Sequence, residues 1–399
     1  MIFTPSLRGG GAERALVEVL SRFDPSELER ITLLIGLPGG ELEHELPAHV
    51  SRTHLFRRRI VGRITFWLYR KNVLKWPLKL AWKVRTKAQY ERVIFFQDSF
   101  LTDLLALLPG KTSRHLMVHS DIETNPNYTV NELSEKARVR LFKARYSHLN
   151  EIRFVSEAAR RAFQRIFGVR VEDAILPILL SSRRIKALAE KSPWSAGRPD
   201  LATGSRQDGR CRFVCVGSLL PVKDQGLLLR AAARLKLAGA RFSVEIVGDG
   251  PMREALEAEI AAKGLEDEVT LHGYLPNPYP ILAEADVLVL PSISEAMPTV
   301  ICESHILGVP VLASNCPGCK DILADGRYGL LFSRNERALS ERMFQLAESE
   351  ELRKQVRQKG QRWLSGYSES AILSQYREFF LGGSKQLAGS QNGYRSLPV

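Results

Sequence analysis

The chain has 399 residues, 44% of them hydrophobic and 25% charged, and carries a formal net charge of +13. Its length fits two cores better than one, and its composition excludes global disorder. No run reaches the roughly 18 apolar residues that a spanning helix needs, so an integral helical membrane protein is excluded too.

In chain order, Ile2–Ser6 and the glycine-rich turn through Gly9, Gly10 and Gly11 lead into a helical pattern with apolar Ala15, Leu16, Val19 and Leu20. This reads as a βα unit that begins at Met1 without a charged leader, so an exported protein is not expected. Strands are expected near 31–37, 92–97, 115–120 and 151–157, with helical stretches at 99–108 and 156–168, the latter capped by Ser156. From 181 to 210 the sequence turns polar and rich in Gly, Pro and Ser, which predicts a linker. A second series follows, with strands near 212–218, 242–250, 269–275, 285–292 and 309–315 and helices at 225–238, 252–263 and 299–307. Beyond Tyr328 the pattern is helical, and the tail lacks apolar periodicity. The expected organisation is a first α/β domain over 1–180, a linker over 181–210 and a second domain over 211–365. A helix near 366–380 packs back on the first domain, and 381–399 is disordered.

Cys211, Cys215, Cys302, Cys316 and Cys319 are an odd set, so reduced thiols in a cytoplasmic protein are expected. Cys316 and Cys319 form a C-x-x-C with no second pair.

Short, continuously apolar strands suit a parallel sheet covered on both faces, which binds ligands beyond its carboxyl ends. There, Gly217 and Ser218 end a strand and Lys223 precedes a helix, which suits a phosphate clamp, although an ordinary surface lysine would look the same. Gly248 and Gly250 resemble a dinucleotide fingerprint, but Arg253 stands where its third glycine would be, so a tight turn is the safer reading. Pro298 suits the first turn of a helix whose free amides at Thr299 and Val300 could hold a phosphate. Glu295 in the preceding loop and Glu303 one turn into the helix could contact a sugar and a ribose. Equally, they could be a helix-start charge and a solvated side chain.

Taken together, GGGAER, VGSLLPVKDQG, GDGPM, the Glu295/Glu303 E-x7-E pair and the VPVLASN strand resemble family 4 retaining glycosyltransferases. The resemblance spans roughly residues 1–335 and is strongest from Arg212 to Phe332. It implies an α/β GT-B fold, two doubly wound Rossmann-like domains facing across a cleft, and transfer of a sugar with retention from a UDP-sugar or GDP-sugar. No metal and no further cofactor are implied. The acceptor would be a glycan or a lipid-linked molecule, in bacterial surface polysaccharide, lipopolysaccharide or exopolysaccharide synthesis. By position, Lys223 and Ser218 would meet the donor diphosphate, Ser218 standing where many members have arginine. Thr299 and Val300 would offer amides to the same phosphates, with Gly10 and Gly11 lying under them. Glu303 would bind the ribose, Glu295 and His119 would act at the sugar, and Tyr274 and Leu275 would contact the base. Ala296 replaces a usual glycine, and Leu176-Pro177 stands where many relatives have Asn-Pro.

Between Arg57 and Arg92 there are twelve Lys or Arg against one acid, Glu91, interleaved with Phe66, Trp67, Leu68, Tyr69, Trp76, Leu78, Leu80 and Trp82. That mixture suits an anionic membrane surface, which predicts peripheral attachment through residues 57–92 at the inner face of the cell membrane. A solvated helix with its aromatics in the core is the competing reading. A sugar-nucleotide epimerase of the same fold is the rival enzyme. A basic nucleic-acid-binding protein would explain the charge but not the second domain, so no nucleic acid is expected.

Overall fold

The structure is a computed structural model that describes residues 1–71, 73–87, 90–120, 122–123, 133–171, 175–191, 209–382 and 395–396. The chain divides into two compact units, Met1–Leu179 together with the C-terminal stretch from Ser368, and Leu180–Tyr367.

The first unit holds six parallel strands: β1 (Ile2–Thr4), β2 (Thr32–Ile35), β3 (Ser51–His54), β4 (Arg92–Phe95), β5 (Ser113–Val118) and β6 (Glu151–Phe154). Their order is β3-β2-β1-β4-β5-β6, so the chain reverses direction across the sheet between β1 and β4. Phe3, Phe95 and Trp82 are fully buried against one another, each contributing roughly 1.5–3 kcal/mol by leaving water. The strand β3 escapes the sequence reading because it is a polar edge strand, Ser51-Arg52-Thr53-His54, with no buried residue to mark its face. The stretch Phe100–Leu107 is a 3-10 helix rather than an α-helix.

A two-residue strand β7 (Val169–Arg170) precedes the second unit. That unit repeats the pattern with β8 (Cys211–Val216), β9 (Phe242–Val247), β10 (Val269–Gly273), β11 (Val287–Leu290), β12 (Val311–Ser314) and β13 (Leu330–Phe332), all parallel and ordered β10-β9-β8-β11-β12-β13. Every residue of β11 and β12 is buried, as strands covered on both faces must be. The strand β13 corrects the all-helical expectation beyond Tyr328.

The expected linker is also corrected in part. Residues Ser182–Ala189 form a helix whose N-cap, Ser181, accepts from the Arg184 amide, and Ile185 is buried in the second unit's core. Residues 192–208 of that stretch, and all of the expected tail but 382 and 395–396, lie outside the described residues.

The helix Glu369–Leu381 belongs to the first unit. Arg22 pairs with Glu369 at 2.9 Å, Arg377 with Glu27 at 2.9 Å, and Phe380 meets Phe23 at 5.8 Å. Tyr367, the last residue of the second unit, donates its hydroxyl to the Leu180 carbonyl at 3.1 Å and accepts from the Leu180 amide at 2.7 Å. The two points at which the backbone passes between units are therefore tied to each other. No helix among the described residues is long and apolar enough to cross a membrane.

Candidate functional site

In the second sheet the reversal lies between β8 and β11, and an open α/β sheet places its ligand beyond the strand ends at such a point. The loop after β8 runs through Gly217 and Ser218 into a single 3-10 turn, Pro221–Lys223. Asp224, in a left-handed conformation, then starts the helix Gln225–Leu237. The loop after β11 carries Glu295 and enters the helix Thr299–Leu307, with Pro298 at its N-cap. The Ile293 amide donates to the Val222 carbonyl at 2.8 Å, so the two loops are joined along their backbones.

Lys223 and Glu295 meet at this junction. The ammonium donates to both carboxylate oxygens, at 2.7 and 2.8 Å, and the Ser292 hydroxyl donates to one of them at 2.7 Å. Glu295 is 9% exposed, whereas the Lys223 side chain keeps 28% of its surface, so the acid is held from below and the lysine remains open to solvent. Ser314 in β12 donates to the Ser292 carbonyl at 2.6 Å, fixing the loop to its own sheet. A Cβ at Gly318 would stand 2.2 Å from the Glu295 carbonyl oxygen, so only glycine lets the next helix approach this loop.

The turns after β8 and β9 approach as closely. A Cβ at Gly248 would stand 2.0 Å from the Gly217 carbonyl oxygen, and one at Gly250 2.5 Å from that of Leu219. These glycines serve backbone packing. The amides of Thr299 and Val300 have no acceptor among the described residues, as expected of the first turn of a helix. Glu303 follows one turn later and is half-buried, while Tyr274 is exposed and Leu275 half-buried just past β10. Ser218, Lys223, Tyr274, Leu275, Glu295, Thr299, Val300 and Glu303 therefore all lie at or just beyond the carboxyl edge of one sheet.

Gly10, Gly11 and His119 lie at the carboxyl edge of the other sheet. The amides of Arg8, Gly9 and Gly10 donate to the Glu13 carboxylate at 2.5, 2.9 and 3.2 Å, so the N–H groups that could face a phosphate already hold the chain's own anion. His119 packs on Phe96 at 4.7 Å, and burial pushes its pKa down to about 3, so its imidazole is neutral at physiological pH. Asp121, which follows it in sequence, lies outside the described residues.

Glu295 and Lys223, expected at the sugar and at the diphosphate, partner each other here. Ser292, Ser314, Gly318 and Glu13 were missed. Glu13 stands three residues after Gly10 at a helix start, the capping-box place for a glutamate that accepts from the N-cap amide, and that was the available signal; Ser292 precedes no helix and carries none. Ser314 and Gly318 carry none.

Among the described residues no group of three His, Cys, Asp or Glu side chains could hold a metal ion. All five cysteines are free and buried.

Residues 202–363, which contain the site residues of the second sheet, match the family model of glycosyl transferases group 1. Over 162 residues the chain is 33% identical to the 2-deoxystreptamine glucosyltransferase of Streptomyces kanamyceticus, covering 40% of this chain and 39% of that one. Over 172 residues it is 28% identical to the N-acetylgalactosamine-N,N'-diacetylbacillosaminyl-diphospho-undecaprenol 4-alpha-N-acetylgalactosaminyltransferase of Campylobacter jejuni, covering 43% and 46%. The chain thus spans less than half the length of these curated relatives. Among solved structures, HepE of Anabaena in complex with UDP superposes with a TM-score of 0.71 at 18% identity, covering 95% of this chain and 98% of that one. WaaG, a glycosyltransferase involved in lipopolysaccharide biosynthesis, gives 0.67 at 17%, covering 96% and 99%. The chain has the two-domain α/β fold of these enzymes, GT-B.

Proposed function

We propose that this protein is a retaining glycosyltransferase that moves a sugar from a UDP-sugar or GDP-sugar to a glycan or lipid-linked acceptor in bacterial surface polysaccharide synthesis. The observation that carries the reading is the Lys223–Glu295 pair at the reversal point of the second sheet, inside the stretch that matches the glycosyltransferase family model. The relatives whose names state an activity transfer sugars, and HepE was crystallised with UDP and with UDP-glucose.

In this reading the leaving diphosphate draws Lys223 away from Glu295. The ammonium and the free amides of Thr299 and Val300 take up the charge that develops on the leaving group. Glu295, released from the lysine but still held by Ser292, then faces the sugar. Glu303 binds the ribose, with Tyr274 and Leu275 near the base. Neutral His119 contributes a hydrogen bond rather than a charge. No step here needs a metal.

The exposed apolar side chains of the helices Arg59–Arg70 and Trp76–Arg85 favour attachment to an anionic membrane. Ile60, Ile64, Trp67, Trp76, Leu80 and Val84 are each more than half exposed, among lysines and arginines. Phe66, Tyr69, Leu78 and Trp82 from the same segment are in the core. The competing sequence reading therefore holds for Phe66, Tyr69 and Trp82 and fails for Trp67 and Trp76.

Thermal-shift titration with UDP, GDP and their sugar conjugates tests the donor assignment. At a hundredfold excess over Kd the cognate nucleotide stabilises the protein by about 2.7 kcal/mol, and Lys223→Ala removes that gain. Absence of a shift with every nucleotide, or a full shift in the variant, would sink the donor site.

A further inference from the structure

Just past β12 the chain reads Cys316-Pro317-Gly318-Cys319, the C-x-x-C that the transfer chemistry leaves unused, and this tetrapeptide opens the helix Pro317–Leu323. Cys316 is the N-cap, in an extended conformation, and Pro317 takes the first helical position, where its fixed φ suits the turn. Cys319 is therefore the third helical residue. Side chains at these two positions face each other, the relation that a capping box exploits. Helical geometry separates Cα atoms three residues apart by about 5 Å. That lies inside the range of about 4.4–6.8 Å over which a disulfide closes, so the pair can be joined without unwinding the helix.

The two thiols are also unlike each other. Burial pushes Cys211, Cys215 and Cys302 up, which keeps them protonated and inert. Hydrogen bonding from Cys319, opposed by burial and helped by Ser314, brings Cys316 down to about 7. The same bond holds the Cys319 proton well above the ordinary thiol range. Cys316 is thus the one cysteine of the five with thiolate character at neutral pH, and its protonated partner makes an attacking thiol beside a resolving one. At 6% exposure Cys316 admits only a small reagent.

This pair adjoins the Glu295 loop. Gly318, between the cysteines, lies so close that a Cβ would stand 2.2 Å from the Glu295 carbonyl oxygen and 2.8 Å from that of Ala296. Ser314, the serine that hydrogen-bonds to Cys316, also donates to the Ser292 carbonyl at 2.6 Å, and Ser292 in turn holds Glu295 at 2.7 Å. A movement of the sulfur atoms therefore reaches the carboxylate by two routes, backbone contact and hydrogen bond.

We infer that Cys316 and Cys319 are a site of reversible oxidation by small hydroperoxides, and that their disulfide loosens the loop that holds Glu295. The Cys316 thiolate attacks one oxygen of the hydroperoxide and the O–O bond breaks. The other oxygen leaves as an alcohol carrying the proton that Cys316 lost, and Cys316 becomes a sulfenic acid. The Cys319 sulfur then attacks the Cys316 sulfur, and the hydroxyl group departs as water with the Cys319 proton. Two thiols and one hydroperoxide thus give one disulfide, one alcohol and one water. A small dithiol reverses the change by exchange. In the disulfide Cys316 carries no charge for Ser314 to bond, and Gly318 is drawn with its neighbours against carbonyls that leave it no room.

The reduced full chain is treated with one equivalent of hydrogen peroxide, and free thiols are then alkylated in denaturant and mapped by mass. The peptide with Cys316 and Cys319 loses two hydrogens and escapes alkylation, Cys211, Cys215 and Cys302 are alkylated, and dithiothreitol reverses the change. Hydrogen exchange at the Ile293 amide, which bonds the Val222 carbonyl, rises about tenfold in the oxidised chain and returns on reduction, while β9 and β10 keep their protection. In Cys319→Ser the sulfenic acid persists and is trapped by dimedone, and exchange stays at the reduced level. No disulfide between these two, or oxidation of the other three cysteines as fast, overturns the site. A disulfide formed with exchange unchanged, or a rise that persists in Cys319→Ser, overturns its effect on the loop. Both readouts work without a nucleotide, so they fail independently of the donor assignment.

Discussion

Glu295 is buried between Ser292 and Lys223, so the strength of the Lys223 pair decides how readily a ligand replaces it. A double-mutant cycle on Lys223→Met and Glu295→Gln, read by urea unfolding without nucleotide, should give a coupling of about 1–3 kcal/mol. A coupling near zero would mean that the pair is incidental. His305 gives a second residue-scale prediction. It is 2% exposed beside Trp363, and burial pushes its pKa down to about 4. The unfolded chain, with a histidine pKa near 6.5, binds the proton more readily, so stability is full above that value and declines as the pH falls toward 4. Between pH 7 and pH 5 the free energy of unfolding should drop by about 2 kcal/mol more in the wild type than in His305→Gln. Equal slopes would refute the assignment.

At the scale of elements, the glycines between loops are the sensitive points. Gly318→Ala would drive a methyl into the backbone carbonyls of Glu295 and Ala296, at 2.2 and 2.8 Å. The expected cost is about 1–3 kcal/mol, with a smaller nucleotide-induced shift, because it is the Glu295 loop that must yield. An unchanged thermal-shift response would show that the loop tolerates displacement. What the sequence shows of this architecture follows from what each element buries. The strands β8 and β11 are legible because both of their faces are covered and their apolar runs are continuous. The strand β3 is not, because an edge strand of polar residues has no pattern to read. The site residues were found one loop at a time, from turns and helix starts. Their pairing was not, because Lys223 and Glu295 are 72 residues apart and meet only once β8 and β11 lie side by side. Likewise, the glycine turn in the first unit is legible as a turn, whereas the bonds from its Arg8, Gly9 and Gly10 amides to Glu13 are not.

On the scale of the whole molecule, the first unit is completed by the end of the chain. Tyr376 and Phe379 of the helix Glu369–Leu381 are almost fully buried, and Arg92 donates to the Phe379 carbonyl at 3.0 Å. Ending the chain at Tyr367 should expose that core. Hydrogen exchange should then rise across β1, β4 and β5 while β8, β11 and β12 keep their protection. Protection lost equally in both sheets would mean that the two units do not fold as separate bodies. Because the chain enters the second unit at Leu180 and leaves it at Tyr367, one cut cannot part the halves. A protease that nicks between residues 191 and 209 would give two bands on a denaturing gel. On a sizing column they would still run as one particle, since the C-terminal fragment ends in a helix that belongs to the core of the N-terminal one.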